Sequence, residues 1–318
     1  MGWYAFEEIG EALEETRDML LPFEISLWTR MAVIVLLTGS GFNLPAGNFS
    51  SPSPGMESGL DAGQTTFTSS TGFTPQQQQF GQLLMESGAA SSSTMIVAGI
   101  VLAVFVFIGL PLMLLSSIFE FVFYRSLIDR EVKLAKSFSD NIGRGLRYFA
   151  FRVVYALLIL SVLAIIILLG MESSTLLAVL LIGFIPVLLV SAIFAGLTKH
   201  FILLRMMERD EGLIEAWRSF WPVLQSEWRQ VAVFLVTRFF LALFVGAISA
   251  TVVLAVTVMA AIPVIIMAAI LSMIAEILFL VPVLLGGIIW AVLLLYIAVP
   301  FRVYLYYYVI LVYHDLTS

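Results

Sequence analysis

The stretch EGLIEAWRSFWPVLQSEWRQVAVFLVTRFFLALF, residues 211–244, decides the fold class of this chain. Its first half is charged and rich in tryptophan, and it runs without a break into apolar sequence interrupted by Arg238. This pattern is typical of an amphipathic helix at a membrane surface that leads into a membrane-spanning helix. We therefore predict an all-α, polytopic membrane protein built as a helical bundle.

The same pattern occurs in two earlier parts of the chain. One copy runs from Glu131 through Arg152 into VVYALLILSVLAIIILLG, and the other runs from Glu11 through Trp28 to Arg30 and MAVIVLL. The distances from the leading glutamate to the arginine, 30−11, 152−131 and 238−211, are 19, 21 and 27 residues. The unequal spacing makes this a pseudo-repeat, which predicts about six spans as three hairpins with cytoplasmic amphipathic helices.

The composition excludes a water-soluble protein. Hydrophobic residues make up 61% of the chain and charged residues 12%, and the mean hydropathy is +1.04. The apolar runs are continuous, as in helices, and do not alternate as in the strands of a membrane barrel. We expect residues 1–318 to form a single membrane domain.

The chain lacks the residues that several classes of chemistry require. The chain has no cysteine, and its two histidines, His200 and His314, are far apart, so we expect no metal site. No phosphate-binding loop, no His-Glu-x-x-His and no Gly-x-Ser-x-Gly motif is present. The prediction is a non-enzymatic protein with no cofactor. The short basic segments are better explained by membrane topology than by nucleic-acid binding.

The distribution of basic residues predicts the topology. Residues 43–93 are rich in Ser, Gly, Thr and Gln and contain no Lys or Arg, so we expect an extracellular loop, in which Asn48 matches a glycosylation pattern. The connections 125–147 and 199–230 are basic and amphipathic, which places them in the cytoplasm. Residues 1–23 form an acidic amphipathic helix on the membrane or on the rest of the protein, or else a soluble cap. The N-terminus of this multi-pass cell-membrane protein is then cytoplasmic.

The apolar runs predict spans at about 25–42, 94–124, 148–170 and 175–204. The remaining stretch, 231–313, is open to two interpretations. One has a fifth span to about Ala260, a broken or re-entrant segment from Pro263 to Val281, and a sixth span ending near Tyr313. The other counts the middle piece as a seventh span. Three hairpins favour six, which would put the tyrosines of residues 304–313 at the cytoplasmic interface.

Ionisable residues within the spans are the candidate functional residues, because charge is costly in the bilayer. Arg30, Arg152 and Arg238 each lie near the cytoplasmic start of a span, where an arginine can reach lipid phosphates. Glu120, near the cytoplasmic end of the second span, is a natural partner for one of them. These residues are expected to bind lipid headgroups or to form ion pairs between the repeats.

Glu276 is a separate candidate. It lies in LSMIAEILFLVPVLLGG, with apolar sequence on both sides and proline and glycine nearby. Broken helices at membrane depth hold ions and substrates in transporters, so Glu276 and Arg302 form a possible transport site. A glutamate that pairs with Arg302 for structural reasons alone, or that stays protonated, is the simpler interpretation.

Around the first copy, residues 11–37 resemble an uncharacterised family of haloarchaeal multi-span membrane proteins. The resemblance rests on Ala12-Leu13, Thr16-Arg17, Leu21-Pro22-Phe23, Trp28 and Arg30, and Ala216-Trp217 and Ser219-Phe220 also fit the pattern. In overall plan the chain is more distantly similar to the six-span membrane domain of some glycerophosphodiester phosphodiesterases. The resemblance implies an archaeal membrane protein and no activity. A halophilic source also fits the composition, since only three of the 16 basic residues are lysine and the net charge is −6.

Two functions follow from these observations. The first is an oligomeric scaffold, or a subunit of a membrane complex, that organises the membrane through lipid contacts. The second is a permease or channel that uses the region around Glu276.

Overall fold

A computed structural model describes residues 4–40, 99–100, 103, 105–171, 173–274 and 276–317. The helices within these ranges are α1 Tyr4–Leu20, α2 Ile25–Val35, α3 Leu110–Ile128, α4 Leu134–Gly170, α5 Ser174–Leu197, α6 Leu203–Arg209, α7 Leu213–Ser226, α8 Trp228–Ser272 and α9 Leu280–Thr317. Shorter helical turns occupy Leu36–Ser40, Phe105–Gly109, Thr198–Ile202 and Glu276–Phe279. The predicted loop 43–93 and Asn48 lie outside the described residues.

The described residues contain helices and no strands, so the predicted all-α bundle is confirmed. Five helices are long and apolar enough to cross a membrane: Val106–Ile128, Leu134–Gly170, Ser174–Arg209, Trp228–Ser272 and Ile277–Thr317. The apolar helix Ile25–Thr38 is shorter. About 20 residues of helix cross the hydrocarbon core, so these lengths are consistent with a multi-pass membrane protein.

The region after residue 231 differs from the prediction. Helix α8 continues through Pro263 to Ser272, so it does not end near Ala260, and the break predicted between Pro263 and Val281 is confined to the residues between Ser272 and Leu280. The chain reverses only at Met273 and Ile274, before the short turn Glu276–Phe279. A proline in an apolar helix removes one backbone hydrogen bond, which nearby groups can compensate, so Pro263 does not end the helix. With no separate helix between α8 and α9 in the described residues, the seven-span interpretation loses its extra span.

Gly286 has a packing role instead of breaking a helix. It lies within α9, where a Cβ atom would be 2.4 Å from Cγ2 of Val264 on α8. Trp290 adds a hydrogen bond across the same hairpin, from its Nε1 to Oγ1 of Thr257 at 2.9 Å. The small residue therefore allows α8 and α9 to approach closely.

Most buried side chains lie at one end of the helices, which we call the packed end. It comprises residues 4–38, 113–149, 197–234 and 299–317. Beyond it extend two helical hairpins, which we call the first arm (residues 150–196, α4 and α5) and the second arm (residues 239–298, α8 and α9). The arms expose most of their large apolar side chains. A surface of this kind requires lipid or another protein around it.

The tyrosines of α9 form part of the core of the packed end. They were predicted to lie at the membrane interface, but Tyr306, Tyr307, Tyr308 and Tyr313 are buried. The hydroxyl of Tyr308 donates to the carbonyl oxygen of Ala5 at 3.0 Å, which attaches α1 to α9. A buried tyrosine hydroxyl needs such a partner, and backbone and carboxylate oxygens supply it here.

Helix α1 packs on the rest of the protein with one of its faces. Ala5, Ala12 and Leu20 are buried, whereas Phe6 and Leu13 are exposed. Small side chains on the buried face leave room for the tyrosine rings of α9. The exposed face therefore carries apolar side chains at the packed end.

Candidate functional site

A buried carboxylate, Glu120, is at the centre of the polar contacts in the packed end. Only 3% of its surface is exposed. Lys199 Nζ lies 2.8 Å from Oε1 of Glu120, and the hydroxyl of Tyr306 donates to Oε2 at 2.6 Å. These contacts join α3, the turn after α5, and α9. Both oxygens of the carboxylate thus have a partner, as a buried charge requires.

A second contact links the same helices. The hydroxyl of Tyr124 lies 3.2 Å from Nδ1 of His200 and donates to the carbonyl oxygen of Lys199 at 3.3 Å. Tyr124 is one helical turn beyond Glu120 on α3, so both residues face the turn that follows α5. The ring of His200 also meets the ring of Tyr306 edge-on, with centroids 6.5 Å apart.

Two arginines complete this group. Arg302 is 3% exposed and interacts electrostatically with Tyr306 and Glu120. Arg238 places its guanidinium 5.9 Å from the ring centre of Phe234 and interacts electrostatically with Tyr124. We call the whole set the Glu120 cluster; its members are Glu120, Tyr124, Lys199, His200, Arg238, Arg302 and Tyr306. It contains one carboxylate and three basic side chains, one lysine and two arginines, and therefore an excess of basic groups.

Arg152 lies beside this cluster on α4. Its Nη1 donates to the hydroxyls of Ser117 at 3.1 Å and Ser116 at 3.4 Å, and its guanidinium lies 5.7 Å from the ring centre of Tyr148. Arg152 is thus held by neutral groups on α3 and α4. Its charge adds to the positive excess around Glu120, since it also interacts electrostatically with Lys199.

Arg30, the arginine of the first copy of the pseudo-repeat, lies in a different environment from Arg152 and Arg238. It is exposed, and its Nη1 donates to the carbonyl oxygen of Val132 at 3.2 Å. Arg152 and Arg238 are half-buried near the Glu120 cluster, so the three arginines do not have equivalent surroundings. The cation in direct contact with Glu120 is Lys199, in a place where the sequence led us to expect one of the three arginines.

The other predicted pair, Glu276 and Arg302, is not brought together. Glu276 begins the short turn before α9, and Arg302 lies 22 residues beyond Leu280 on that helix. At about 1.5 Å per residue, Leu280 and Arg302 are about 33 Å apart along the axis. Glu276 therefore lies near the tip of the second arm, whereas Arg302 lies in the packed end. The two residues form no joint site.

Four members of the Glu120 cluster were not predicted from the sequence: Lys199, His200, Tyr124 and Tyr306. Lys199 and His200 were treated as part of a basic connection, yet they lie in AGLTKHFILL, where apolar residues precede and follow them. Charged and polar residues inside such a run are a signal of buried contacts. Their partner on α3 is too distant in the chain for spacing to reveal.

Within the described residues, no three His, Cys, Asp or Glu side chains come together to bind a metal ion.

A second polar contact joins the two ends of the chain. Glu8 on α1 is buried and shares a hydrogen bond with Asp315 on α9. Burial, the contact with Asp315, and the charges of Asp315, Glu11 and Glu7 raise the pKa of Glu8 to about 7. Two carboxyl groups in contact cannot both stay ionised at low cost, so a proton shared between them stabilises the docking of α1.

This contact predicts a pH dependence. A carboxyl with a raised pKa in the folded state stabilises the fold below its unfolded value and loses that contribution as the pH rises through about 7. The thermal unfolding midpoint of the detergent-purified protein should therefore fall between pH 5.5 and pH 8.5. In Glu8→Gln the fall should be smaller, with a higher midpoint than wild type at pH 8.5. Glu14→Gln, an exposed position on the same helix, should follow wild type, and an unchanged pH response in Glu8→Gln would contradict the assignment.

Comparison with known proteins identifies the family of this chain but does not assign an activity to it. The profile of a family of unknown function, DUF7544, matches residues 3–318. The match covers nearly the whole chain, so the protein belongs to this family. No curated protein and no solved structure matches it. The haloarchaeal source and the likeness to the phosphodiesterase membrane domain stay predictions.

Proposed function

We propose that this member of a family of unknown function is a non-enzymatic, multi-pass component of the cell membrane that binds and orders anionic lipids. The observation that carries the proposal is the exposed amphipathic surface around α7. There Ile214, Trp221 and Trp228 expose apolar surface beside the exposed arginines Arg218 and Arg229. Apolar and aromatic side chains alternating with arginine suit the headgroup region of a bilayer.

The orientation follows from charge. The basic connections lie at the packed end, whereas Met171 and Met273, at the tips of the two arms, have no Lys or Arg as near neighbours. We place the packed end in the cytoplasm by the positive-inside rule. Helix α1 contacts the last turns of α9, so the two chain ends share this side. An even number of crossings, six, is the arrangement that accounts for this.

The arms support a lipid-facing role. The first arm is held by a hydrogen bond from the hydroxyl of Tyr155 to the carbonyl oxygen of Ser191 at 2.6 Å, and the second by the contact of Trp290 with Thr257. Outside these contacts their apolar side chains are mostly exposed. We propose that lipids cover this surface and that a second copy of the chain or a partner subunit covers part of it, as in an oligomeric scaffold.

The test is lipid retention in a defined bilayer. The protein is reconstituted into nanodiscs of equal parts phosphatidylglycerol and phosphatidylcholine and released into a native mass spectrometer. We expect retained lipid to be enriched in phosphatidylglycerol by about fivefold, since one basic residue near the surface contributes about 1 kcal/mol. The same spectra give the number of chains per particle and show whether the lipids are chemically unchanged.

Salt provides the control. Exposed charges are screened within about 3 Å at 1 M salt, so the enrichment should decline in 1 M NaCl. Retained lipid with the same composition as the bilayer would contradict the proposed function. Lipids converted to new products would instead show an enzyme.

The second candidate is an anion permease, which the positive excess of the Glu120 cluster favours. A buried group of cations around one carboxylate could bind an anion in transit. Chloride and phosphate efflux from proteoliposomes separates the two functions. Efflux above that of empty vesicles that is lost in Lys199→Met would favour the permease, and efflux equal to empty vesicles would exclude it for these anions.

A further inference from the structure

A cleft of about 740 Å³ lies between α4 and α7 at the edge of the packed end. Arg147 and Arg218 lie on its two sides, and Phe151, Val154 and Ile214 supply apolar wall. Its volume is within the range of sites that bind small molecules. None of these residues belongs to the Glu120 cluster or to the arginines of the pseudo-repeat.

The two arginines differ from their neighbours in having no anionic partner. Arg144, one turn before Arg147, binds Asp210, and Arg130 binds Glu15. Arg147 and Arg218 are exposed and make neither an ion pair nor a hydrogen bond within the part of the chain that the structure describes. Two arginines facing one cleft can bind a phosphate through paired N–H donors.

The carboxylate of the cleft does not cancel this charge. Glu215 also lines the cleft, but its Oε2 accepts the N–H of Gly212 at 2.9 Å and so caps the start of α7. The lining residues then carry two cations and one occupied carboxylate. Their net charge is positive and favours an anion.

The apolar wall indicates which anion. Beyond Arg152, α4 continues through apolar residues to Gly170, so the cleft lies where the polar part of this helix meets its membrane-spanning part. Val154 and Ile214 expose their side chains there. A ligand that fills the cleft would meet both cations and apolar carbons. A phospholipid has groups that suit both, whereas inorganic phosphate does not.

We propose that this cleft binds the headgroup of one anionic phospholipid, with Arg147 and Arg218 holding its phosphate. The first carbons of an acyl chain lie against Phe151, Val154 and Ile214. This proposal rests on the proposed function and assigns a specific site to it. Such a site would also explain why α7 exposes arginine and apolar side chains together.

The test is a binding titration by native mass spectrometry in a neutral detergent, with dioleoyl phosphatidylglycerol as the probe. The double variant Arg147→Ala/Arg218→Ala should weaken binding by about tenfold or more, because both charge-assisted contacts are lost. Arg17→Ala/Lys136→Ala removes the same charge from exposed positions outside both the cleft and the surface around α7, and it should bind as wild type does. Val154→Asn should weaken binding of the dioleoyl lipid through loss of apolar contact.

The outcomes separate the site from the proposed function. Equal loss in both double variants would overturn the site, because bulk charge would then explain binding. Inorganic phosphate that competes as well as the lipid would overturn the lipid assignment. If Arg147→Ala/Arg218→Ala binds phosphatidylglycerol in detergent as wild type does, while wild type still enriches it in nanodiscs, the site is rejected and the proposed function stands. If wild type shows no enrichment, the proposed function fails as well.

Discussion

Glu120→Ala should lower the free energy of unfolding by about 3 kcal/mol, the lower end of the range for breaking a buried ion pair. The loss leaves Lys199 without its carboxylate, close to Arg302 and Arg152. The lower end applies because 23% of the Lys199 side-chain surface remains exposed. The hydroxyl of Tyr306 also loses its acceptor. Reversible unfolding in mixed detergent micelles measures the change.

Two controls make this result specific. Glu131→Ala removes a carboxylate from the exposed pair with Lys133 and should change stability by less than about 1 kcal/mol. Glu120→Gln/Lys199→Met removes both buried charges and should recover much of the stability lost in Glu120→Ala, since no unpaired buried charge is created within the pair. If Glu120→Ala and Glu131→Ala have equal effects, the Glu120 cluster does not stabilise the packed end.

Gly145→Ala should destabilise the protein by about 1–3 kcal/mol through overpacking. A Cβ atom at Gly145 on α4 would lie 2.5 Å from Cγ1 and 2.8 Å from Cα of Ile118 on α3. The second contact involves backbone, so a side-chain rotation cannot relieve it and the two helices must separate. Thermal unfolding of the detergent-purified protein measures the effect.

Gly143 provides a matched control two residues away. A Cβ atom there meets nothing within 4 Å. Gly143→Ala should be neutral or stabilise the protein by up to about 1 kcal/mol, because alanine favours the helix. Opposite signs for the two substitutions are the predicted result, and equal effects would contradict close packing of α3 on α4.

Much of the fold could be predicted because lipid-spanning helices must be long and apolar. The turn between α4 and α5 is an example, since Gly170 ends an apolar run and the polar residues after it precede another. The second arm was harder to predict because proline and glycine have several roles in apolar helices. Pro263 lies inside α8, and Gly286 packs on Val264. Only the partner helix distinguishes a packing glycine from a break.

The candidate site could be predicted only in part. Glu120 was identified because it is a charge within an apolar segment. Its partner Lys199 was not, because many basic residues were equally plausible and the sequence gives no distance between α3 and the turn after α5. The burial of the tyrosines was missed for the same reason, since an aromatic run near a helix end is compatible with either an interface or a core.

The most direct test of the central claim, that lipid binds at the surface while the Glu120 cluster holds the helices together, is a cryo-electron microscopy structure in nanodiscs of phosphatidylglycerol and phosphatidylcholine. We predict that Lys199 stays in contact with Glu120 in a dry interior and that a lipid phosphate lies between Arg147 and Arg218. A water-filled passage that reaches Glu120 and Lys199 from both membrane faces, with no ordered lipid in the cleft, would contradict the account and favour a permease.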